Sequence, residues 1–286
     1  MKKLVCMLSV FALCSALALT ACSSNAKSSE GSGESSGSSA AESTISGGAG
    51  SDIEQMIIGK WIIAEVDGHP ALTNDKAVFT FTPSGNAYMS ASFNSRSQLG
   101  SHWLNLLEAE VSIDGSKVTI TRPFDERSTI VDELVITDIT DTETSGNLVV
   151  KRIEDGSETE ISEGTIRLER IDSNYEEDIL GTWEGRCTSE SSVFDDGQDH
   201  RWEFNPDGTF VYFNKDGDNW IPDDNALGEY FVDGNLLCSR WTADGQENRE
   251  WWEITIDGDT MSWTALREGD DGKSFTATFE MKKVVG

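Results

Sequence analysis

Ile57-Ile58-Gly59-Lys60-Trp61 decides the fold, because it returns as Ile179-Leu180-Gly181-Thr182-Trp183. Two further landmarks return in the same order. Phe79-Thr80-Phe81-Thr82-Pro83-Ser84-Gly85 is echoed by Trp202-Glu203-Phe204-Asn205-Pro206-Asp207-Gly208, and Val111-Ser112-Ile113-Asp114-Gly115 by Tyr230-Phe231-Val232-Asp233-Gly234. The matched glycines are 122, 123 and 119 residues apart. Three landmarks at nearly one offset mean a duplicated domain, and the period is far too long for a solenoid repeat. The polar run Asp172-Ser173-Asn174-Tyr175-Glu176-Glu177-Asp178 marks the boundary.

Each half reads as β throughout. Short runs of alternating character are separated by turn signals such as Asn205-Pro206-Asp207-Gly208, Asp233-Gly234-Asn235 and Asp257-Gly258-Asp259. Asp-Gly between alternating runs is a strong hairpin signal, because glycine accepts the positive φ that primed turns require. Eight strands are expected in the first half, at 58–67, 76–82, 86–94, 107–113, 116–122, 131–139, 147–153 and 163–171. Eight more are expected at 179–189, 199–205, 208–214, 227–233, 235–242, 248–256, 260–267 and 274–284. No segment shows a sustained helical period. The stretch Trp103-Leu104-Asn105-Leu106-Leu107 reads either as one helical turn or as the start of a strand. Eight short strands joined by hairpins predict an up-and-down barrel, since closure removes exposed edges. At that size the interior is either filled by side chains or holds one small ligand.

Glycine-x-tryptophan on the first strand of an eight-strand meander resembles the lipocalin-like (calycin) families. Gly59-x-Trp61 and Gly181-x-Trp183 carry the resemblance. It implies that each tryptophan closes a barrel floor and that a basic side chain from the last strand packs on its ring. Arg167 or Arg170 would serve in the first half and Lys282 or Lys283 in the second; the family's Thr-Asp-Tyr loop motif is absent from both. The expectation is therefore all-β: two tandem lipocalin-like barrels, residues 53–172 and 173–286, behind a disordered tether.

The beginning of the chain has its own signals. Lys2 and Lys3 precede an apolar run from Leu4 to Leu19, about as long as a signal h-region and short for a spanning helix. Leu19-Thr20-Ala21-Cys22 resembles the lipobox of bacterial lipoproteins. That resemblance implies cleavage of residues 1–21 and a lipid on Cys22, which would anchor the chain to a membrane and face it outside the cytoplasm. Residues 22–52 are nearly all Ser, Gly, Ala and Glu, with Ile45 the single large apolar residue. Such a stretch cannot bury enough apolar surface to offset its ordering entropy. It reads as a flexible tether reaching some 30 Å by the random-coil relation. Its length favours the outer face of a single-membrane cell, with a periplasmic or outer-membrane location kept open.

Charge narrows the function. The chain has 22 Lys+Arg against 51 Asp+Glu and a formal net charge of −29. That excludes nucleic-acid binding, which rests on cations neutralising phosphates. His69, His102 and His200 have no ligand-like spacing, and no phosphate-gripping loop or serine elbow is present. No enzyme activity, cofactor or metal is expected. Asn214, Asp216, Asp218, Asp223 and Asp224 alternate like calcium ligands, but the glycine and glutamate of a calcium loop are misplaced, so a solvated hairpin is the reading. Asp195-Asp196 and Asp270-Asp271 read the same way. Downstream of Cys22, Cys187 and Cys238 are left as a candidate disulfide or as two buried thiols.

Seven of the nine tryptophans lie in the second half. Two readings follow. In the first, a barrel holds a small apolar or amphipathic ligand, lined by Trp202, Phe204, Phe210, Tyr212, Trp252, Ile254, Phe275 and Phe279. In the second, the barrels are filled and outward Trp220, Trp241 and Trp251 bind a protein or a glycan.

Overall fold

The computed structural model describes residues 50–93, 102–189, 197–243, 245–269 and 272–284. The leader, Cys22 and the tether up to residue 49 lie outside these residues, as do Asp195-Asp196 and Asp270-Asp271. The described chain is all-β, in two closed barrels.

The first barrel contains β1 (Gly59–Val66), β2 (His69–Pro70), β3 (Val78–Phe81), β4 (Asn86–Phe93), β5 (His102–Asp114), β6 (Lys117–Pro123), β7 (Ser128–Ile139), β8 (Glu143–Glu154) and β9 (Ser157–Ile171). Neighbours in sequence pair antiparallel from β3 onward, β1 pairs with β3, and β9 closes on β1. The two-residue β2 is an extra ribbon on β1. The second barrel contains β10 (Gly181–Ser189), β11 (His200–Phe204), β12 (Thr209–Asp216), β13 (Asn219–Asp233), β14 (Leu236–Ala243), β15 (Gln246–Asp257), β16 (Thr260–Glu268) and β17 (Ser274–Lys283). It is an unbroken up-and-down meander closed by β17 on β10.

One open alternative is decided and one local expectation needs correction. The stretch Trp103–Leu107 is strand, the second of its two readings. It carries a bulge at Leu106, whose φ is 50° and whose N–H is satisfied by Ser90 Oγ at 3.1 Å. The last tether residues are not all coil: Gly50–Met56 forms a short helix, α1. Ile53, Met56 and Ile57 recur at helical spacing and pack into the first barrel's core.

Both floors are built alike. The indole N–H of Trp61 donates to the Ile57 carbonyl at 2.7 Å, and that of Trp183 to the Ile179 carbonyl at 2.7 Å. The Arg170 guanidinium lies 4.3 Å from the Trp61 ring, and the Lys283 ammonium 5.0 Å from the Trp183 ring. Arg170 also donates to the carbonyls of Met56, Ile58 and Asp141, which ties α1 and the β7–β8 turn to the floor. Gly59 has φ +130°, and a Cβ there would stand 2.3 Å from Arg170 Nη1. Glycine is needed both for the backbone angle and for the approach of the cation. Arg167 instead lies outside, bound to Glu65, Glu143 and Glu169.

The barrels share a third core. Ile62, Val78 and Ile171 of the first meet Phe231, Leu236, Cys238 and Trp251 of the second, with Trp103 edge-on to Phe231 at 4.8 Å. Lys60 reaches Asp233 at 2.5 Å, and Lys76 reaches Glu253 at 2.9 Å.

Candidate functional site

Register on the second barrel fixes which side chains point inward. Trp183 is inward, and it pairs with Trp202, which pairs with Tyr212. Phe204 and Phe210 follow by alternation, then Gly228, Trp241 and Asn248 across β13, β14 and β15. On β15 alternation makes Trp252, Ile254 and Glu250 inward with Asn248. Trp263 pairs with Ile254 and with Phe279, and Arg267 with Phe275, so these too face inward. All eight residues expected to line a cavity therefore lie on the inner face.

They do not lie at one depth. Near the floor the interior is packed: Trp183, Phe204, Leu237, Ile254, Met261 and Met281 are all buried. Above them rings touch in a continuous stack. Trp202 sits 4.9 Å from Trp263 and 5.1 Å from Phe279, and Trp252 lies 5.2 Å from Phe279, with edge or tilted geometry throughout. At the opposite end His200, Tyr212, Asn248, Glu250, Arg267 and Phe275 also face inward, yet all are only half-buried. The inward side chains at this end are thus less buried than those at the floor. The second barrel has a filled base and a polar rim.

This rim is organised around Trp252. Its indole N–H donates to Glu250 Oε2 at 3.1 Å, and its ring lies 4.7 Å from the Arg267 guanidinium. Arg267 Nη2 also donates to the Trp251 carbonyl at 3.4 Å. Burial holds the Glu250 carboxyl above the ordinary carboxylate range, although Arg267, the Trp252 N–H and His200 draw it down. Burial draws Arg267 down, against the pull of Glu250. His200 Nδ1 and Tyr212 Oη are 3.0 Å apart, and the His200 ring stacks on Trp202 at 5.5 Å.

The wall has a seam here. β14 and β15 pair as far as Ala243 with Gln246, and β16 and β17 as far as Glu268 with Ser274. The β15–β16 ladder, however, runs only from Asp257 with Thr260 to Glu253 with Thr264. Extending that register places Glu250 opposite Arg267, on the two edges of the parted strands. The 3₁₀ turn Thr73–Asp75 of the first barrel packs against β15 and β16 beside this seam.

The proposed recognition tryptophans separate. Trp220 is at the surface, half-buried, with Arg201 Cζ 5.0 Å and Lys215 Nζ 5.3 Å from its ring. Trp241 and Trp251 are not surface residues. Trp241 is buried inside the barrel, opposite Gly228, whose missing side chain leaves room for the Phe210 ring. Trp251 is outward but buried in the core shared with the first barrel. Of the two alternatives for Cys187 and Cys238, the structure has two buried thiols and not the disulfide. Cys187 faces the second barrel's interior and Cys238 the inter-barrel core, so the two thiols lie on opposite faces of the wall. Among the acidic loop residues, Asn214 Nδ2 donates to Asp223 Oδ2 at 2.9 Å across the β12–β13 hairpin.

Sequence reading named the aromatic lining and missed Glu250 and Arg267. Alternation from Trp252 was enough to turn Glu250 inward. Nothing in a single sequence shows that β15 and β16 part where Glu250 and Arg267 face each other.

Residues 179–263 match the lipocalin-like domain family model. No curated protein matches the chain. Solved structures do match, among them a protein of unknown function of the DUF3598 family from Nostoc punctiforme. It shares 11% identity over 83% of this chain and 100% of its own, at a TM-score of 0.23. Another is a double mutant of the vaccine antigen transferrin binding protein B from Haemophilus parasuis, with 10% identity over 74% of this chain and 54% of its own, at a TM-score of 0.26. With scores this low, similarity to the lipocalin-like domain is carried by the family model, within the second barrel, and the presence of two barrels by the strand pairing of this chain.

Proposed function

We propose that these tandem lipocalin-like barrels form a lipid-anchored binding protein outside the cytoplasm, and that the second barrel holds one small, largely apolar molecule in its cup. The observation that carries this is the contrast within one closed barrel. Inward side chains are buried at the floor and only partly buried at the other end, with aromatic walls and a few convergent polar groups. The first barrel is the support. Its interior carries the buried pair Arg122 and Asp132, 3.2 Å apart, each less than a tenth exposed. The leader, the Leu19-Thr20-Ala21-Cys22 box and the Ser/Gly-rich stretch support the anchor and its tether.

Native mass spectrometry of residues 23–286, after exposure to extract of the source organism, tests the cup. A defined adduct is expected, lost when Trp252 is changed to alanine in a chain that still folds. A bare mass with intact circular dichroism sinks the proposal. A second reading has one observation in its favour: Trp220 keeps a surface position beside exposed Ile221. Capture of a protein or glycan partner by the intact chain, abolished by Trp220→Ala with the fold retained, would move the function to that surface.

A further inference from the structure

We infer that the outer face of the β12–β13 ribbon is a docking site for a protein that offers an apolar side chain flanked by Lys or Arg. This rests on the reading of Trp220 as part of a binding surface, and it holds whether or not the barrel takes a ligand. Register assembles the face. Phe210 is inward, so Val211 and Phe213 are outward, and they pair with Leu227 and Pro222. Lys215 is outward by the same alternation and pairs with Trp220. Arg201, opposite Phe213, lies 5.9 Å from that ring and 5.0 Å from the Trp220 ring, which puts both rings on one side of the wall. Val211, Phe213, Trp220, Pro222 and Leu227 therefore form one apolar strip. Leu227 is 55% exposed and Pro222 is exposed beside it, while the other three are half-buried. An exposed apolar strip with a polar rim marks an interaction site. The strip also continues an interface that the fold already uses. On the same face of β13, Phe231 packs on Trp103 of the first barrel, and Glu229 lies between Phe231 and Leu227.

Charge chooses the occupant. The cations around the strip already hold acids: Arg201 holds Glu184, Arg186 and Lys215 share Asp199, and Arg240 holds Glu229. Glu203, opposite Val211, and Asp216 and Asp218, at the tip of the ribbon, hold no cation among the described residues. Acids thus outnumber cations on this face, and the charge left to be matched is negative. A second copy of this chain would bring a net charge of −29 against it, and an anionic glycan would meet the same acids. A neutral glycan stacks on an open aromatic face. The Trp220 ring is half-buried with Arg201 and Lys215 against it, and the most exposed group of the strip is aliphatic. A protein with an apolar anchor and basic flanks matches both the strip and its rim, in the usual anatomy of a protein interface.

The test pans a random-peptide phage library on residues 23–286 and carries the enriched consensus forward as a synthetic peptide. The expected consensus places Lys or Arg around an aliphatic or aromatic residue. Its affinity should fall as salt is added, and by about tenfold or more in Leu227→Ser and in Trp220→Ala, as for anchors at the centre of an interface. The double variant Asp216→Asn, Asp218→Asn should weaken it about twofold or more and flatten the salt dependence. Ile221 is 48% exposed but lies opposite Asn214, on the reverse of the ribbon, so Ile221→Ser should change the affinity by less than about twofold. Unchanged melting temperatures show that the variants are folded. An acidic consensus, or loss of binding in Ile221→Ser alone, overturns the inferred partner or its face. A glycan from a printed array that binds through Trp220, with no peptide doing so, overturns the partner class and leaves the surface reading standing. A dimer that forms in solution and is lost in Leu227→Ser puts a second copy in the partner's place. Peptides and glycans indifferent to both Leu227→Ser and Trp220→Ala overturn the surface reading as well.

Discussion

At the scale of single residues, the two barrels solve the same interior problem differently. Arg122 and Asp132 are sealed inside the first, and burial raises the Asp132 carboxyl above its ordinary 3.8 despite Arg122 beside it. A raised folded-state pKa means that the stability contributed by the neutral acid is full below 3.8 and is lost as pH rises through the raised value. Removing the cation strands the anion. Arg122→Met should therefore cost about 3–5 kcal/mol near neutral pH, measured by urea unfolding, and less toward pH 4 as Asp132 takes a proton. The double variant Arg122→Met, Asp132→Leu should recover most of that loss. A double variant as unstable as the single one would show that the pair matters only for shape. This pair was not legible in the sequence, because Arg and Asp on a strand ordinarily read as solvent-facing. The floor pair was legible in part: the resemblance offered Arg167 or Arg170, and only geometry chose Arg170.

At the scale of strands and turns, alternation and hairpin glycines carried nearly all the information. Strand ends at the hairpin glycines follow the expected runs because each run has one core face and ends at a turn dipeptide, whereas β5, β9 and β13 start at His102, Ser157 and Asn219, ahead of the expected 107, 163 and 227. What alternation could not supply is depth and partnership. Trp251 and Trp252 point to opposite faces as period two demands, yet the outward one is buried, because the first barrel covers it. Trp241 was readable as inward from Leu237 by the same period, and its partner across the ladder is Gly228. That glycine is a packing device. A Cβ there would stand 2.3 Å from a Phe210 ring atom and 2.4 Å from the Arg240 carbonyl oxygen. The ring can rotate, but the carbonyl belongs to the β13–β14 ladder and cannot. Gly228→Ala should destabilise the second barrel by about 1–3 kcal/mol, the range for overpacking, measured by chemical denaturation. A change within experimental error would mean that β13 can shift outward at this point.

At the scale of the whole molecule, duplication produced one body from two barrels. The shared core joins residues from strands of both halves and excludes water, and Lys60–Asp233 and Lys76–Glu253 flank it. The 3₁₀ turn of the first barrel also rests on β15 and β16, the strands that form the cup's seam. Stability and cup geometry are therefore coupled across the interface. Calorimetry of residues 23–286 should show one cooperative transition, since neither barrel keeps its outer face covered without the other. Trp251 is the largest side chain in the shared core, and its truncation to alanine removes contacts in the range of about 3–5 kcal/mol. Trp251→Ala should split the single transition into two and lower the melting temperature of the second barrel more than that of the first. The variant's second barrel should still close, because Trp251 contributes nothing to its interior. Two transitions in the wild-type chain, or one unshifted transition in the variant, would mean that the barrels are independent beads and that the seam takes no support from its neighbour.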